Sequence, residues 1–468
     1  MKHFTSRTLL CTILVSLLTS CGESVTPSEN SSDISVTTEP TIIYPDYGGD
    51  EFNILMRTDW EYEFNVNQEN GDLVNDAVYK RNRIVEDNYN IVLNSIAIAG
   101  GWDDRTQFIN TINASILADE DAYDVVAGYQ AYMITPAMEG MFMNVHDIAE
   151  LQLSEPWWSK LAVDALTQNG KCFMITGDIA LSQWSGLYCM YFNKGMAENY
   201  KINNLYEIVK DGKWTMDKLT ELSALVSSDL NGDSNMDEND LYGLVTHTDR
   251  ARNFIVSFET PVTTIGSDGF NELTFNSERS IEAAEKITKL FTAPSTFTKN
   301  ADVRNIFRQG NALFFFESLS FALGNRDMEA DFGILPMPKY DDNQETYLTS
   351  THNSCSMMCF PISVSDPSYS GTIVDALCRE SYETVVPVYY DKALKTKSAR
   401  DDESQEMIDI IRTGLTFDFG WVHSVEMQSI GTTYEIICHG TQNFASQYAS
   451  IEAGAKAGLE KINAAYKD

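Results

Sequence analysis

From residue 50 onward the chain alternates short apolar runs with longer segments of helical period. Residues 52–56 (FNILM) read as a buried strand, 73–89 as a helix and 91–98 as a second strand. Residues 106–117 read as a helix, and 124–128 (DVVAG) as a short strand ending at Tyr129. Strands separated by helices at this interval predict βα units on a mainly parallel sheet. In such sheets ligands meet the loops beyond the strands' C-terminal ends. That rule draws Asp59, Trp60, Trp102 and Tyr129 towards one edge. Two longer apolar runs, 187–193 (LYCMYFN) and 312–316 (ALFFF), read as further buried strands. Residues 332–336 and 356–362 add strands, and helices are expected over 371–382, 403–412 and 451–466.

Between the two long apolar runs, residues 214–244 read as a helix that runs into an acidic loop. Thr215 is placed to cap the helix, with Asp217 in its first turn, where the helix dipole favours negative charge. Leu219, Leu222, Leu225 and Val226 recur at helical spacing and predict one buried stripe. Asp229, Asn231, Asp233, Asn235, Asp237 and Asp240 then take positions 1, 3, 5, 7, 9 and 12 of an EF-hand-type loop. A hard cation needs several oxygens at one point, and alternating Asx residues on a tight loop supply them. With Glu238, five carboxylates crowd this stretch and repel one another unless a cation intervenes. Ser234 stands at position 6, where Gly is usual, and Asp240 replaces the usual Glu at position 12. The expectation is one structural Ca²⁺ of modest affinity on the 229–240 loop. A single loop does not make a paired calcium sensor.

Composition narrows the setting. Lys2 and Arg7 precede an apolar core, 9–18, that is too short to span a membrane, so 1–20 read as an export signal. Leu18-Thr19-Ser20-Cys21 resembles a bacterial lipobox, which implies cleavage before Cys21 and lipidation of its thiol. Residues 21–49 are rich in Ser, Thr, Glu, Asn and Pro and read as a disordered tether. A lipid anchor followed by a tether implies an extracytoplasmic protein held at a membrane surface. The 468 residues suffice for two or three domain-sized units. A net charge of −35 argues against nucleic acid or anionic lipid as partners. Apart from Cys11 and Cys21, six cysteines are spaced too irregularly for a small disulfide scaffold, and buried thiols are expected. Cys355 and Cys359 could share a face as a metal pair, but no His stands beside them at ligand spacing. No HExxH, P-loop, GxGxxG or GxSxG motif and no internal repeat is present.

A series of segments follows in a specific order: 123–132 (YDVVAGYQAY), 155–166 (EPWWSKLAVDAL), 177–194 (GDIALSQWSGLYCMYFNK) and 205–219 (LYEIVKDGKWTMDKL). After the calcium-like loop come 306–318 (IFRQGNALFFFES), 331–347 (DFGILPMPKYDDNQETY) and 400–411 (RDDESQEMIDII). Together they resemble the bacterial extracellular solute-binding proteins of family 1, the lipoprotein receptors of ABC importers. The resemblance runs from about residue 50 to the C-terminus. It implies an α/β, two-lobe periplasmic-binding-protein-like fold of type II, with crossing strands, the 187–193 and 312–316 runs, as the hinge and the ligand cleft between the lobes. The first lobe is expected over 50–186 plus 314–355, and the second over 187–313 plus 356–468.

The resemblance also implies a monomeric receptor, not an enzyme, that hands its ligand to ABC permease subunits. Aromatics make up 11% of the chain, and aromatic faces pack against the apolar faces of sugar rings while Asp, Glu and Asn bond hydroxyls. The expected ligand is therefore a carbohydrate, in particular an oligosaccharide. The candidate pocket residues are Asp59, Trp60, Tyr129, Trp184, Glu317 and Trp421. Trp157 and Trp158 follow Pro156 at a helix start and read as packing. Two other classes stay open. An anchored glycoside hydrolase needs two carboxylates about 5–10 Å apart across a bond. A ligand-sensing subunit for a membrane kinase needs the same cleft without a permease.

Overall fold

The computed structural model describes residues 44–299, 302–325, 328, 330–390 and 402–467. The export signal, Cys21 and most of the tether lie outside the described residues. The last tether residues do not: Tyr47 packs edge-on to Tyr369 at 4.6 Å, and its N–H donates to the Tyr89 carbonyl at 3.0 Å. The folded unit therefore starts at about residue 45 rather than 50.

Among the described residues twelve strands follow in chain order. They are β1 (Asp50–Arg57), β2 (Ile91–Ile98), β3 (Val125–Tyr129), β4 (Tyr188–Asn193), β5 (Ser227–Ser228) and β6 (Leu241–Val245). Then come β7 (Thr263–Ile265), β8 (Asn271–Leu273), β9 (Thr296–Phe297), β10 (Ala312–Ser318), β11 (Phe332–Leu335) and β12 (Ser356–Cys359). The first lobe is built on a sheet ordered β12-β3-β1-β2. β1 is parallel to both β2 and β3, and β12 is antiparallel to β3. β1 is buried from Ile54 to Arg57 because it is flanked by strands on both sides and covered by helices such as Leu73–Tyr89. Asp72 caps that helix by accepting from the Val74 and Asn75 N–H groups. The second lobe is built on a sheet ordered β11-β4-β10-β6-β5, with β9 beside β6. β7 and β8 form a separate hairpin.

The apolar runs 187–193 and 312–316 are strands, but they do not cross between lobes. β4 and β10 pair antiparallel inside the second sheet, and every residue of both is buried. Strands buried on both faces read as continuous apolar runs, so the run alone cannot say which sheet holds it. The expected assignment of 314–355 to the first lobe is corrected by this pairing, since β10 and β11 both join β4. The return to the first sheet comes at β12, which had been expected in the second lobe, as had helix Pro367–Glu380 that packs on helix Leu73–Tyr89. The chain passes between the sheets at 186–188, where Tyr188 and His352 N–H groups bond the Ser350 and Gly186 carbonyls. Gly186 is required at this crossing: a Cβ there would sit 2.6 Å from Thr351 Oγ1 and 2.8 Å from the Ser182 carbonyl. The closing helices are Asp402–Thr413, packed on β11, and Phe444–Ala465, packed on the Ser424–Met427 turn.

Helix Met216–Ser223 is capped by Thr215 as expected, with Leu219 and Leu222 buried. Leu225 is exposed rather than part of the stripe, because the helix ends at Ser223 and the chain turns into β5. All six described cysteines are buried and free.

Candidate functional site

A cavity of about 410 Å³ lies where the two lobes meet, in the range of small-molecule sites. The first lobe contributes Trp102, Tyr129, Gln130 and Ala131, and the returning crossing segment adds His352 and Asn353. The second lobe contributes Asp249, Arg252, Trp421, Val422, Ser424, Val425, Ser429 and Thr432. A larger hollow of about 730 Å³ runs along helix Glu278–Phe291 and residues 440–445. It belongs to the second lobe alone, so the cleft cavity is the candidate for a ligand held by both lobes.

Tyr129 ends β3, where the sheet rule puts a binding residue. Its ring is stacked on Tyr132 at 5.4 Å and lies 6.2 Å from the Trp102 ring. The buried Arg57 guanidinium sits 4.9 Å over it, and its hydroxyl donates to Asn353 Oδ1 at 3.3 Å. Arg57 is held in turn by the Ser354 carbonyl at 2.6 Å and by Asp59 at 3.2 Å. Asp59 therefore acts on the cavity through Arg57 and does not line it. Trp60 packs 5.8 Å from Tyr62, outside the lining.

On the opposite wall, Trp421 lies in the short helix Phe419–Val422. Half-buried Asp418 caps that helix by accepting the Trp421 N–H at 2.6 Å, and it also accepts the Val262 N–H at 3.2 Å. Burial pushes the Asp418 carboxyl up to about 7 despite those two amides. Gly431 seats the indole, since a Cβ there would meet Trp421 Cε3 at 2.3 Å. Gln428 and Ser429, consecutive non-Gly residues, both take left-handed conformations, with φ of 55° and 54°. Such strain persists only where surrounding contacts enforce it and clusters at binding sites. Here the Ser429 N–H bonds the Ser424 carbonyl at 2.8 Å and the Gly431 N–H bonds Ser424 Oγ at 2.8 Å.

Behind Asp249 lies an ion-pair knot. Arg250 donates to both Glu317 oxygens at 3.1 Å, Arg304 adds a contact at 3.2 Å, and Arg250 also holds Asp249 at 2.6 Å. Burial raises the Glu317 carboxyl, but Arg250 and Arg304 outweigh it and hold it below the usual carboxylate range. Glu317 is thus spent on guanidiniums and stays out of the cavity. Arg252 pairs with Glu435. His352 is pushed down to about 4 by burial and by nearby Arg250, so it is neutral at ordinary pH. The Ser354 N–H donates to His352 Nδ1 at 3.1 Å, which leaves the ring proton on Nε2.

Of the six pocket residues expected from sequence, Tyr129 and Trp421 line the cavity. Asp59 and Glu317 stand one residue behind it. Trp184 is elsewhere: it packs on Tyr390 at 5.4 Å, with Arg412 5.5 Å over its ring. Trp157 and Trp158 are packing as read, both donating their indole N–H to Asp375. Sequence reasoning missed Asp249, Arg252, His352, Asn353 and the 424–432 turn. Their only local sign is polar residues after a strand end or within a turn, which many surface positions share.

In the 229–240 loop, Asp229 accepts the Gly232 and Ser234 N–H groups at 2.7 Å each. Asp240 accepts those of Leu230 and Asp237, and Asn231, Asp233 and Asp237 each close a turn on the residue two ahead. Ser234 adopts the left-handed φ of 64° that position 6 demands, as a non-Gly residue. Among the described residues no three His, Cys, Asp or Glu side chains gather as a metal-holding group. The loop fits Ca²⁺ in spacing and backbone, but its carboxylates do not converge.

No family model and no curated protein matches the chain. Solved structures do. A galacto-N-biose/lacto-N-biose I-binding protein of an ABC transporter from Bifidobacterium longum, in complex with lacto-N-biose, is 13% identical with a TM-score of 0.58, over 89% of this chain and 99% of that one. An ABC substrate-binding protein from Listeria monocytogenes, in complex with cycloalternan, is 14% identical with a TM-score of 0.53, over 89% and 98%. UgpB from Mycobacterium tuberculosis, in complex with glycerophosphocholine, is 14% identical with a TM-score of 0.56, over 88% and 99%. These neighbours are binding proteins rather than enzymes, and among the described residues here no helix is long and apolar enough to cross a membrane. The alignments span nearly the full length of each neighbour, and the chain has the two-lobe fold of ABC-transporter solute-binding proteins.

Proposed function

We propose that this chain is an extracytoplasmic receptor that captures a carbohydrate between its lobes and delivers it to the permease of an ABC importer, without chemical conversion. The observation that carries this reading is the cleft cavity, with Trp102 and Tyr129 on one wall and Trp421 on the other. Aromatic faces pack on the C–H faces of sugar rings, and Asn353, Ser429, Thr432 and Asp249 supply donors and acceptors for hydroxyls. The neighbours complexed with lacto-N-biose and cycloalternan support the sugar class. Among the described residues Asp249 is the only carboxylate in the cavity lining, which supports binding over glycoside hydrolysis, a reaction that uses two. Contacts to both walls at once favour the closed form over the open one. Anchoring through a lipid on Cys21 and work as a monomer complete the proposal.

For the 229–240 loop, Ca²⁺ binding is proposed on residue spacing and charge: six matched positions and five carboxylates. Any bound ion would stiffen the second lobe and take no part in ligand capture.

The test is a titration of tryptophan fluorescence with maltotriose, lacto-N-biose and cellobiose, with small-angle scattering to follow closure. A quench and a compaction are expected with at least one sugar. Binding of peptides or amino acids, with no response to any sugar, overturns the carbohydrate reading.

A further inference from the structure

The cavity wall is charged, yet its charges are matched within the protein. Asp249 and Arg252 both line the cavity. Asp249 is bonded by Arg250, and Arg252 by Glu435. One layer back, Glu317 takes Arg250 and Arg304, and Arg57 under Tyr129 takes Asp59. Four guanidiniums meet four carboxylates around one cavity. The imidazole that faces it, His352, is neutral at ordinary pH. Arg105 covers a face of Trp102 at 4.6 Å but does not line the cavity. A charged ligand group entering here would lose its water without finding an unpaired counter-charge, and the chain's net charge of −35 adds to the cost for an anion. What the wall leaves open is hydrogen bonding. Asp249 Oδ1 has no partner among the described residues but is shielded, so a ligand O–H reaches it only when the side chain turns towards the cavity. His352 Nε2–H, by its tautomer, is a donor.

From this matching we infer that the cleft selects an electrically neutral ligand, and that the Asp249–Arg250 and Arg252–Glu435 pairs act as specificity determinants against charged ones. This deepens, and rests on, the carbohydrate reading above. Specificity is a difference of affinities, and a pair that satisfies itself rejects the ion that would compete for it.

The experiment is calorimetric titration of the full chain with matched probes: the neutral sugars cellobiose, lactose and di-N-acetylchitobiose, the anionic digalacturonate, and the cationic glucosamine disaccharide. The best neutral sugar should bind at least about tenfold tighter than either charged one. Glu435→Gln and Asp249→Asn each remove one negative charge by a different route. Each should shift the ratio of digalacturonate to neutral affinity by about tenfold towards the anion, and 0.5 M salt should shrink that shift. Two variants guard against one of them failing to fold, which circular dichroism reports. Tighter binding of a charged disaccharide by the wild type, or an unchanged ratio in both folded variants, overturns this inference and leaves the carbohydrate reading intact. Binding of amino acids or peptides alone, all of them charged at both ends, overturns both.

Discussion

The 229–240 loop and the wall behind Asp249 both concentrate carboxylates, and they satisfy them by different means. In the loop the acceptors are filled by amides no more than ten positions away. At the wall they are filled by guanidiniums from distant parts of the chain: Arg250 reaches Glu317 over 67 positions, and Arg252 reaches Glu435 over 183. Amides satisfy hydrogen bonding but leave the negative charge in place, whereas guanidiniums cancel it. That difference is the ground for proposing a cation at the loop and a neutral molecule at the wall.

The largest expected difference between the two lies in stability. Glu317→Ala strips Arg250 of its buried partner and leaves it only the part-exposed Asp249; a fully orphaned buried charge costs about 3–5 kcal/mol, and the loss here should lie towards the lower end. Denaturant titration should show that loss, while Asp233→Ala in the exposed loop should move the midpoint little when calcium is withheld. Equal losses would mean that the knot is no more structural than the loop. Calcium comes next. If the loop binds Ca²⁺ in the folded state only, a hundredfold excess over Kd adds about 2.7 kcal/mol. A chelator should lower Tm, and Asp233→Ala should abolish that response. A wild type indifferent to chelator, with no uptake by calorimetry, reduces the loop to an acidic turn held by its own amides.

The same contrast explains what the sequence could and could not disclose. The loop was legible because its carboxylate bonds are local: its spacing and the Thr215 cap upstream were each readable from neighbours, whereas the left-handed φ of Ser234 and the Lys299 bond to the Met236 carbonyl were not. Strands and helices of the βα units were legible for the same reason. Lobe membership was not, because β4, β10 and β12 are buried throughout and nothing in such a run names its partner strand. The cleft was half legible. Tyr129 followed from the strand-end rule and Trp421 from its residue type. Asp249 and Arg252 become a wall only when Glu317 and Glu435 arrive from far along the chain. Trp184 failed for a related reason: an aromatic residue near a crossing serves packing as readily as binding, and Tyr390 and Arg412 claim its ring.

Two tryptophans turn that failure into a test. Trp421→Ala should cost about 1–3 kcal/mol of sugar binding, judged by the burial of a large apolar face, with a smaller effect on stability. Trp184→Ala should do the reverse, lowering Tm while leaving affinity nearly unchanged. If Trp184 controls affinity, the ligand lies outside the cavity described.

Carboxylates without a guanidinium bond behave differently again. Glu63 is fully buried, accepts the Ser182 N–H, and is pushed up to about 7 by burial. In the unfolded chain it titrates near its ordinary value of 4.5. The native state therefore holds the extra proton between those values. The linked stability is full below about 4.5 and lost as pH rises through about 7. His352 and His423, both pushed down to about 4, work in the opposite sense, destabilising as pH falls from 6.5. Comparing wild type with Glu63→Gln isolates the carboxyl: wild-type stability should gain on the variant as pH falls from 8 to 5. Parallel curves would mean that Glu63 is ionised throughout.

The smallest effect returns to the loop. Ser234 holds a φ of 64°, a conformation that costs a residue with a Cβ and costs Gly nothing. Its N–H bond to Asp229 survives replacement by Gly, because the donor is backbone. Against the relief of strain stands the larger freedom that Gly gives the unfolded chain. The balance should leave Ser234→Gly about 0.5 kcal/mol more stable, or near neutral, rather than destabilised. If the loop also binds Ca²⁺, the variant should bind it more tightly, since the turn that aligns the ligands is then adopted without strain. A clear loss of stability in calcium-free buffer would show that the Ser234 side chain makes a contribution larger than the strain it imposes. The turn would then be set by that side chain and not by the carboxylate–amide bonds on which the contrast with the cavity wall depends.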